Sequence, residues 1–232
     1  MITIRPAEER GRTKIDWLDS RHTFSFNRYY DRKHMNYRAL RVINDDFVAP
    51  AGRFGSHPHE NMEILTYVLD GVVVHQDSTG AKGETRPGDI QRMTAGSGIF
   101  HSEANGSYTD ALRFLQIWIY PEQENLEPGY EQKSFAPEER ANRLRLIASR
   151  DARDGSVRIH QDADVFSGVL SAGASVTHEL RPGRGAWLQV AKGEVTLNGK
   201  LLKEGDGAAI EGETTLTIQA SAPSDLLLFD LA

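Results

Sequence analysis

Two short motifs carry four side chains that could bind a metal ion. In "GSHPHENMEILTY", His57 and His59 are separated by one proline, and in "GSGIFHSE", His101 and Glu103 have the same spacing. Residues i and i+2 of a β-strand point to the same face, so each pair would project together. If both pairs face the inside of one barrel, three imidazoles and one carboxylate converge, which is a suitable ligand set for a first-row divalent ion.

Either pair alone could be a coincidence of spacing, since a single His-x-His pair is more often two unrelated polar residues than a metal site. The combination with His-x-Glu favours a metal site, and the intervening glycines and prolines supply turns that bring the second pair back. Three other histidines show no such grouping. His34 and His160 are expected in loops or on the surface, and His75 as a polar partner across two strands.

The composition excludes several classes of protein. The chain has 232 residues, a formal net charge of −6 and no cysteine. The missing cysteines exclude disulfides, iron–sulfur clusters and thiol catalysis, and they limit metal ligands to nitrogen and oxygen. The acidic balance argues against direct nucleic-acid binding. The chain begins without the apolar segment of a secretory signal and has no run long enough to span a bilayer, so we expect a cytoplasmic protein without a membrane partner.

Short apolar runs punctuated by glycine and proline predict many strands and little helix. Residues 63–77 read as a strand, a tight Asp70-Gly71 turn and a second strand. Residues 111–120 are apolar on both faces, which predicts a central strand. The best helix candidate is 135–149, with Pro137 in its first turn.

The second half of the chain repeats the first weakly. Gly71 corresponds to Gly193 and Gly88 to Gly205, at separations of 122 and 117 residues. This pattern predicts two β domains related by duplication, although Gly-Asp turns also recur by chance in all-β proteins. The candidate helix lies where a connection between the halves would fall, so we predict domains at 1–134 and 135–232.

The repeat also tests the metal hypothesis. Moved forward by 122 residues, the first histidine pair falls on Glu179 and Arg181, with His178 one position away. Moved forward by 117 residues, the second pair falls on Ile218 and Ala220. The second domain therefore lacks the four ligands, and only the N-terminal domain is expected to hold a metal in this way.

These residues bring out a resemblance to a known family. "HPHENMEILTYVLDG" followed by "PGDIQRMTAGSGIFHSE" resembles the two metal-binding motifs of the cupin superfamily, and more narrowly those of the pirin family. "WLDSRHTFSFNRYYD", "LRVINDD" and "QIWIYP" resemble pirin signatures as well. The likeness is strong over the first 130 or so residues and extends more loosely through "SRDARDGSVRIHQDADVF".

The resemblance implies an all-β bicupin: two small jelly-roll-type barrels packed face to face, with one metal ion, usually iron, in the N-terminal barrel only. Its ligands would be His57, His59, His101 and Glu103. Wider cupins place a ligand glutamate shortly after the second histidine, where Glu63 stands in this chain. Pirins do not use that position, so Glu63 is only a reserve ligand.

The resemblance also implies an activity. Bacterial pirin-like proteins are associated with quercetin 2,3-dioxygenase activity, in which a flavonol loses its 3-hydroxyl proton, binds the metal, and is opened by O₂ with release of carbon monoxide. Glu103 would be both a ligand and the base. Fe(II) is the expected ion, with Mn, Ni, Co, Cu or Zn as alternatives because spacing does not choose among them. The alternative function is a redox- or metal-responsive regulator that acts through a protein partner, and in either case we expect a monomer.

Other candidate residues are weaker. Four phenylalanines in or beside the motifs could line an apolar cavity mouth or simply form core: Phe24, Phe26, Phe54 and Phe100. His22 and Arg41 could support the metal ligands from behind. Asp45 and Asp46 follow a predicted strand, so "NDD" reads as a turn rather than a catalytic pair.

Overall fold

The computed structural model describes residues 1–232 and is built almost entirely of β-strands. Its helical elements are one short α-helix, α1 (Pro137–Arg140), and two 3-10 turns at Ala7–Glu9 and Arg153–Gly155. None of these is long and apolar enough to cross a membrane. The chain forms two compact units: a first unit of residues 11–134 and 157–161, and a second unit of residues 1–10, 135–156 and 162–232.

The first unit contains two antiparallel sheets. Its strands are β2 (Gly11–Ile15), β3 (Leu18–His22), β4 (Leu40–Val48), β5 (Arg53–His59), β6 (Glu63–Asp70), β7 (Val73–Asp77), β8 (Lys82–Thr85), β9 (Asp89–Thr94), β10 (Ile99–Asn105), β11 (Leu112–Ile119), β12 (Gly129–Ser134) and β14 (Val157–Arg158). The larger sheet has the order β12-β9-β6-β11-β4-β3-β2, and the smaller one has the order β5-β10-β7-β8. The centre of the larger sheet, β6 and β11, is buried on both faces, as the apolar runs at 63–70 and 112–119 predict.

The second unit has the same plan. Its strands are β1 (Ile2–Arg5), β13 (Arg145–Ser149), β15 (Ala163–Leu170), β16 (Ser175–Glu179), β17 (Gly185–Lys192), β18 (Glu194–Leu197), β19 (Lys200–Lys203), β20 (Gly207–Ile210), β21 (Thr215–Ala220) and β22 (Ser224–Leu231). Six of them follow one another in one sheet as β1-β20-β17-β22-β15-β13, and the other sheet has the order β16-β21-β18-β19. A continuous apolar core fills this unit.

The two sheet orders confirm the predicted duplication. The run β9-β6-β11-β4 corresponds to β20-β17-β22-β15, and β5-β10-β7-β8 corresponds to β16-β21-β18-β19. The paired glycines are also conformationally equivalent, since Gly71 and Gly193 both have φ of 84°, and Gly88 and Gly205 have φ of 105° and 85°. A positive φ costs glycine less than any other residue, and these turns therefore favour glycine at both places in both halves.

Two short segments do not follow a simple division of the chain at residue 134. Residues 1–10 belong to the second unit because β1 pairs with β20, with Ile2 opposite Ile210. Residues 157–161 belong to the first unit. Both segments lie far in sequence from the unit they complete, so composition along the chain gives no sign of them.

The predicted helix at 135–149 is wrong over most of its length. The helix α1 ends at Arg140, and Arg145–Ser149 forms β13, which pairs with β15. Leu146, Ile147 and Ala148 are buried in that strand. Local preference for helix is worth only a few tenths of a kcal/mol per residue, so burial in a sheet overrides it.

Replacing Gly193 by alanine is expected to lower the free energy of unfolding of the second unit by about 2 kcal/mol or more. An added Cβ would lie 2.3 Å from the carbonyl oxygen of Pro223, and φ there is +84°. Gly199→Ala is the matched control, because φ is +81° and nothing lies within 4 Å of its Cβ position. Thermal unfolding of both variants separates the cost of the positive φ, which both share, from the cost of the contact with Pro223, which only Gly193→Ala has. Equal losses of unfolding free energy would show that the contact with Pro223 is relieved without a cost in stability.

Candidate metal centre and its cavity

Three histidines meet on the inner side of the smaller sheet of the first unit. His57 and His59 lie on β5, and His101 lies directly opposite His57 on the neighbouring strand β10. The Nε2 atoms of His57 and His101 are 3.0 Å apart, and the centroids of the three rings lie 4.4–4.8 Å from one another. One ligand nitrogen from each ring lies within 4.8 Å of the others. The predicted same-face spacing therefore brings all three imidazoles together.

This arrangement fits a metal ion. Two imidazole nitrogens bound about 2.1 Å from one ion and about 90° apart would be separated by about 3 Å, which matches the distance between His57 and His101. Nδ1 of His57 lies 2.8 Å from the carbonyl oxygen of Gly55. A carbonyl only accepts hydrogen bonds, so Nδ1 carries the proton and Nε2 keeps a free lone pair towards His101.

The electrostatics of the cluster favour the neutral forms of His59 and His101. Burial, together with the neighbouring imidazoles, lowers the pKa of His101 to about 2 and that of His59 to about 4. Metal ions bind the deprotonated form of histidine. At neutral pH these rings therefore present lone pairs without first having to lose a proton.

Glu103 lies beside His101 rather than at the centre of the three histidines. Its carboxylate accepts hydrogen bonds from Gln116 Nε2 at 2.6 Å and from Thr66 Oγ1 at 3.2 Å. Burial and the nearby charge of Asp46 raise its pKa to about 7. A carboxylate oxygen of Glu103 forms a second group of convergent ligand atoms, which is completed by His101 and His75.

His75 is a site residue that the sequence pattern did not single out. It is fully buried on β7, with its ring 5.3 Å from that of His101 and stacked at 5.1 Å on that of Tyr130. Its Nε2 is 3.0 Å from a carboxylate oxygen of Asp77, and burial lowers its pKa. His75 and Asp77 have the same i, i+2 spacing as the two pairs of predicted ligands. This spacing is the sequence feature that could have identified His75 as a site residue.

A cavity of about 680 Å³ opens beside the histidines within the first unit. Phe26, Phe54 and Trp118 are among its lining residues, and the Trp118 ring stands 4.9 Å from that of His59. Of the other phenylalanines considered, Phe24 is buried in the core and Phe100 is 56% exposed. A volume of this size and an aromatic lining suit a flat organic ligand.

His22 and Arg41, considered as supporting residues of the metal ligands, contact other groups. The His22 nitrogens contact Thr13 Oγ1 at 2.8 Å and Asn44 Oδ1 at 2.7 Å, so the ring belongs to the cavity wall. Arg41 donates to two backbone carbonyl oxygens, those of residues 25 and 35. The partners of His22 thus lie on β2 and β4, and those of Arg41 in the loop that precedes β4.

Glu63, the reserve ligand, is engaged elsewhere. Its carboxylate lies 3.1 Å from Nδ1 of His160 and accepts a hydrogen bond from Thr94 Oγ1 at 3.1 Å. It belongs to neither group of convergent ligand atoms. His160, which we expected in a loop or on the surface, is half-buried and serves as the partner of this fully buried carboxylate.

The interpretation of "NDD" as a turn is wrong. Asn44, Asp45 and Asp46 lie inside β4, which pairs on one side with β3 and on the other with β11. Alternation along the strand separates the two aspartates. Asp45 binds Arg113 through two contacts of 2.9 and 3.0 Å, whereas Asp46 lines the cavity with a pKa raised to about 7 by burial and by the charge of Asp45.

The second unit has no equivalent cluster. Both groups of convergent ligand atoms lie in the first unit. On β16 and β21, which correspond to β5 and β10, Val176, Leu216 and Ile218 fill the core. His178 Nε2 instead lies 2.8 Å from a carboxylate oxygen of Asp230.

Comparison with known proteins agrees with this architecture. The pirin family model matches residues 3–119, and a model described as the quercetinase C-terminal cupin domain matches residues 146–231. A protein of Escherichia coli K12 named quercetin 2,3-dioxygenase is 48% identical over 231 residues, covering 100% of this chain and 99% of its own. A pirin-like protein of Caulobacter vibrioides is 42% identical, with full coverage of both chains.

Two solved structures are also similar. The crystal structure of YhhW from Escherichia coli has a TM-score of 0.96 and 47% identity, covering 100% of this chain and 98% of that one. The structure of the bacterial pirin YhhW in complex with nickel(II) has a TM-score of 0.94 and 48% identity, covering 100% and 99%. With both halves matched by family models and the whole length matched by relatives, the chain belongs to the pirin family and is composed of two cupin domains.

Proposed function

We propose that this protein is a metal-dependent dioxygenase that opens the flavonol ring of quercetin-like substrates. Its ligands to one divalent ion would be His57, His59, His101 and Glu103, and Fe(II) is the proposed ion. The observation that carries the proposal is the convergence of three imidazoles on a cavity with aromatic walls. The names of close relatives support the reaction, and the nickel(II) complex of the Escherichia coli pirin supports a divalent ion.

The bound ion would supply a Lewis acid for a substrate oxygen and a place for O₂ chemistry. Three neutral imidazoles and one carboxylate leave a divalent site with a net charge near +1, which favours an anionic enolate or phenolate. The overall reaction joins one flavonol and one O₂ and yields one ring-opened ester and one carbon monoxide. Both atoms of O₂ are retained in the two products.

Glu103 is proposed to accept the proton of the flavonol hydroxyl. A carboxylate beside a metal-bound hydroxyl is within reach of its proton, and burial together with the charge of Asp46 raises the pKa of Glu103 to about 7 in the metal-free protein. Gln116 and Thr66 hold its two oxygens in place. The aromatic side chains Phe26, Phe54 and Trp118 would orient the flat substrate and exclude water from it.

Oxygen uptake tests this proposal. Protein stripped with a chelator and reloaded separately with Fe(II), Mn(II), Ni(II), Co(II), Cu(II) or Zn(II) is mixed with quercetin, while O₂ consumption and carbon monoxide are measured. We expect one carbon monoxide per O₂ with at least one ion and none in the stripped protein. Metal-loaded protein that consumes no O₂ with any ion would overturn the proposal. A pull-down partner that depends on the redox state of the iron would then favour the regulatory alternative.

A further inference from the structure

The cavity wall contains a buried carboxylate oxygen without a protein donor. Asp46 is 5% exposed and lines the cavity, and its Oδ1 has no hydrogen-bond partner among the atoms of the protein. Leaving a buried acceptor unpaired costs about 1–3 kcal/mol, and more for a charged group. Because native proteins rarely keep such groups, this one points to a ligand that brings its own donor.

The neighbours of Asp46 place it near the metal-binding end of the cavity. On the larger sheet, Asp46 lies between Ser20 of β3 and Phe114 of β11, and its diagonal neighbour on β11 is Gln116. Gln116 is the side chain that holds Glu103, at 2.6 Å. The charge of Asp46 also contributes to the raised pKa of Glu103, as expected for two carboxyl groups that share one cavity.

The remaining walls define the class of ligand. Phe26, Phe54 and Trp118 present ring surfaces to the same space, and the cavity of about 680 Å³ accommodates a molecule of several fused or linked rings. At pH 8, above its pKa of about 7, Asp46 is a carboxylate, which accepts hydrogen bonds and donates none, so the matching group on the ligand is a donor. A flat aromatic compound with more than one hydroxyl satisfies both requirements.

We propose that Asp46 is a substrate-binding residue that selects polyhydroxylated aromatic compounds, by accepting a hydrogen bond from a ring hydroxyl other than the one held at the histidines. The inference rests on the proposed function, because it assumes that one hydroxyl of the substrate is bound at the metal ion held by the histidines. It adds a determinant of specificity: a second hydroxyl of the substrate is recognised by a carboxylate outside the set of metal ligands.

The test is an equilibrium titration without O₂. Protein loaded with one equivalent of Zn(II), which is redox-inactive, is titrated calorimetrically under nitrogen with quercetin and with 3-hydroxyflavone, which lacks the other hydroxyls. A hydrogen bond to a charged group is worth about 10- to 100-fold in affinity. We therefore expect Asp46→Ala to weaken quercetin binding about 10-fold or more and 3-hydroxyflavone binding less than about 3-fold.

Two further variants control for folding and for charge. Asp46→Asn keeps the shape and one acceptor oxygen, so we expect a smaller but still selective loss of about 5-fold for quercetin, and this variant carries the test if Asp46→Ala does not fold. Asp45→Asn changes the adjacent carboxylate, which faces Arg113 instead of the cavity. We expect it to leave the ratio of the two affinities unchanged.

Equal weakening of both probes, no weakening of either, or no binding of quercetin to the unmodified protein would overturn the inference. Its failure is distinguishable from failure of the proposed function because the titration requires no turnover. If the metal-loaded protein consumes O₂ but the Asp46 variants weaken the binding of both probes equally, only the role of Asp46 is refuted. If the Asp46 variants weaken quercetin binding selectively but no metal-loaded form consumes O₂, only the dioxygenase activity is refuted.

Discussion

His59→Ala is expected to abolish both metal retention and oxygenase activity. Its ring lies 4.7 and 4.8 Å from those of His57 and His101, so its loss leaves only two of the three convergent imidazoles. Loss of one ligand of a four-ligand site should lower metal affinity by at least about 100-fold. Oxygen uptake with quercetin should fall at least as far. Metal content after gel filtration and O₂ consumption under saturating Fe(II) measure the two effects separately.

The control for this variant is His178→Ala. His178 lies in the second unit, one position from the residue that corresponds to His57, and its contact is with Asp230. We expect it to keep one metal per chain and full oxygen uptake, even if the second unit loses stability. Undiminished turnover in metal-free His59→Ala would refute the assignment of the centre.

Asp46 is expected to destabilise the metal-stripped protein increasingly as pH rises from 5 to 8, and the difference in unfolding free energy between the unmodified protein and Asp46→Asn isolates this effect. Burial, with the neighbouring Asp45, raises the pKa of Asp46 to about 7, and burial with the charge of Asp46 raises the pKa of Glu103 to about 7. In the unfolded chain these groups titrate near about 4. Between these values the two carboxyl groups bind more protons in the folded than in the unfolded state, so their contribution to the free energy of unfolding decreases with pH. The lowered pKa values of His59 and His101 act in the opposite direction up to about pH 6.5, so the effect is read from the comparison with the variant.

The magnitude follows from the same linkage. For one group, about two pH units at about 1.4 kcal/mol per unit give a loss of about 3 kcal/mol between pH 5 and pH 8. Asp46→Asn carries no titratable group there, so we expect its free energy of unfolding to rise by about 3 kcal/mol relative to that of the unmodified protein between pH 5 and pH 8. Urea unfolding of chelator-treated protein at both pH values measures this.

Asp45→Asn distinguishes the cause. Asp45 pairs with Arg113 at 2.9 Å, so its replacement is expected to cost stability at both pH values. Burial, the larger cause, still raises the pKa of Asp46 in that variant, so most of the destabilisation by Asp46 with rising pH remains. An Asp46→Asn protein whose unfolding free energy differs from that of the unmodified protein by the same amount at pH 5 and pH 8 would contradict the prediction.

The part of the site that follows from the sequence is the part set by local strand geometry. The i, i+2 spacing placed His57 beside His59, and the turn-rich segment between the motifs allowed β10 to return beside β5. The position of Glu103 depends on more than spacing. The pairing of β10 with β5 shifts register between His101 and Glu103, so that Glu103 lies opposite Phe54. Such a β-bulge changes the direction of a side chain, and the order of residue types along β10 does not predict where it occurs.

The errors have a common physical origin. Asparagine and aspartate favour turns when only local hydrogen bonds compete, yet "NDD" lies in β4, where two neighbouring strands satisfy the backbone and the cavity tolerates polar side chains. Likewise, 135–149 combines helix-favouring residues with three buried apolar residues that β15 covers. In both segments the deciding contacts come from strands distant in sequence, which a reading of local preference does not include.

The pairing of the first strand with β20 has a consequence for how the chain reaches its final form. Ile2 is paired with Ile210, so β1 is synthesised long before the strand with which it forms its hydrogen bonds. Closing so long a loop is costly in entropy, and the contacts that compensate for this cost form only after closure. The pairing of β1 with β20 is therefore expected late in assembly. A fragment of residues 135–232 would lack β1, so β20 would become an unpaired edge strand of its sheet. Two such fragments could then associate by pairing their β20 strands.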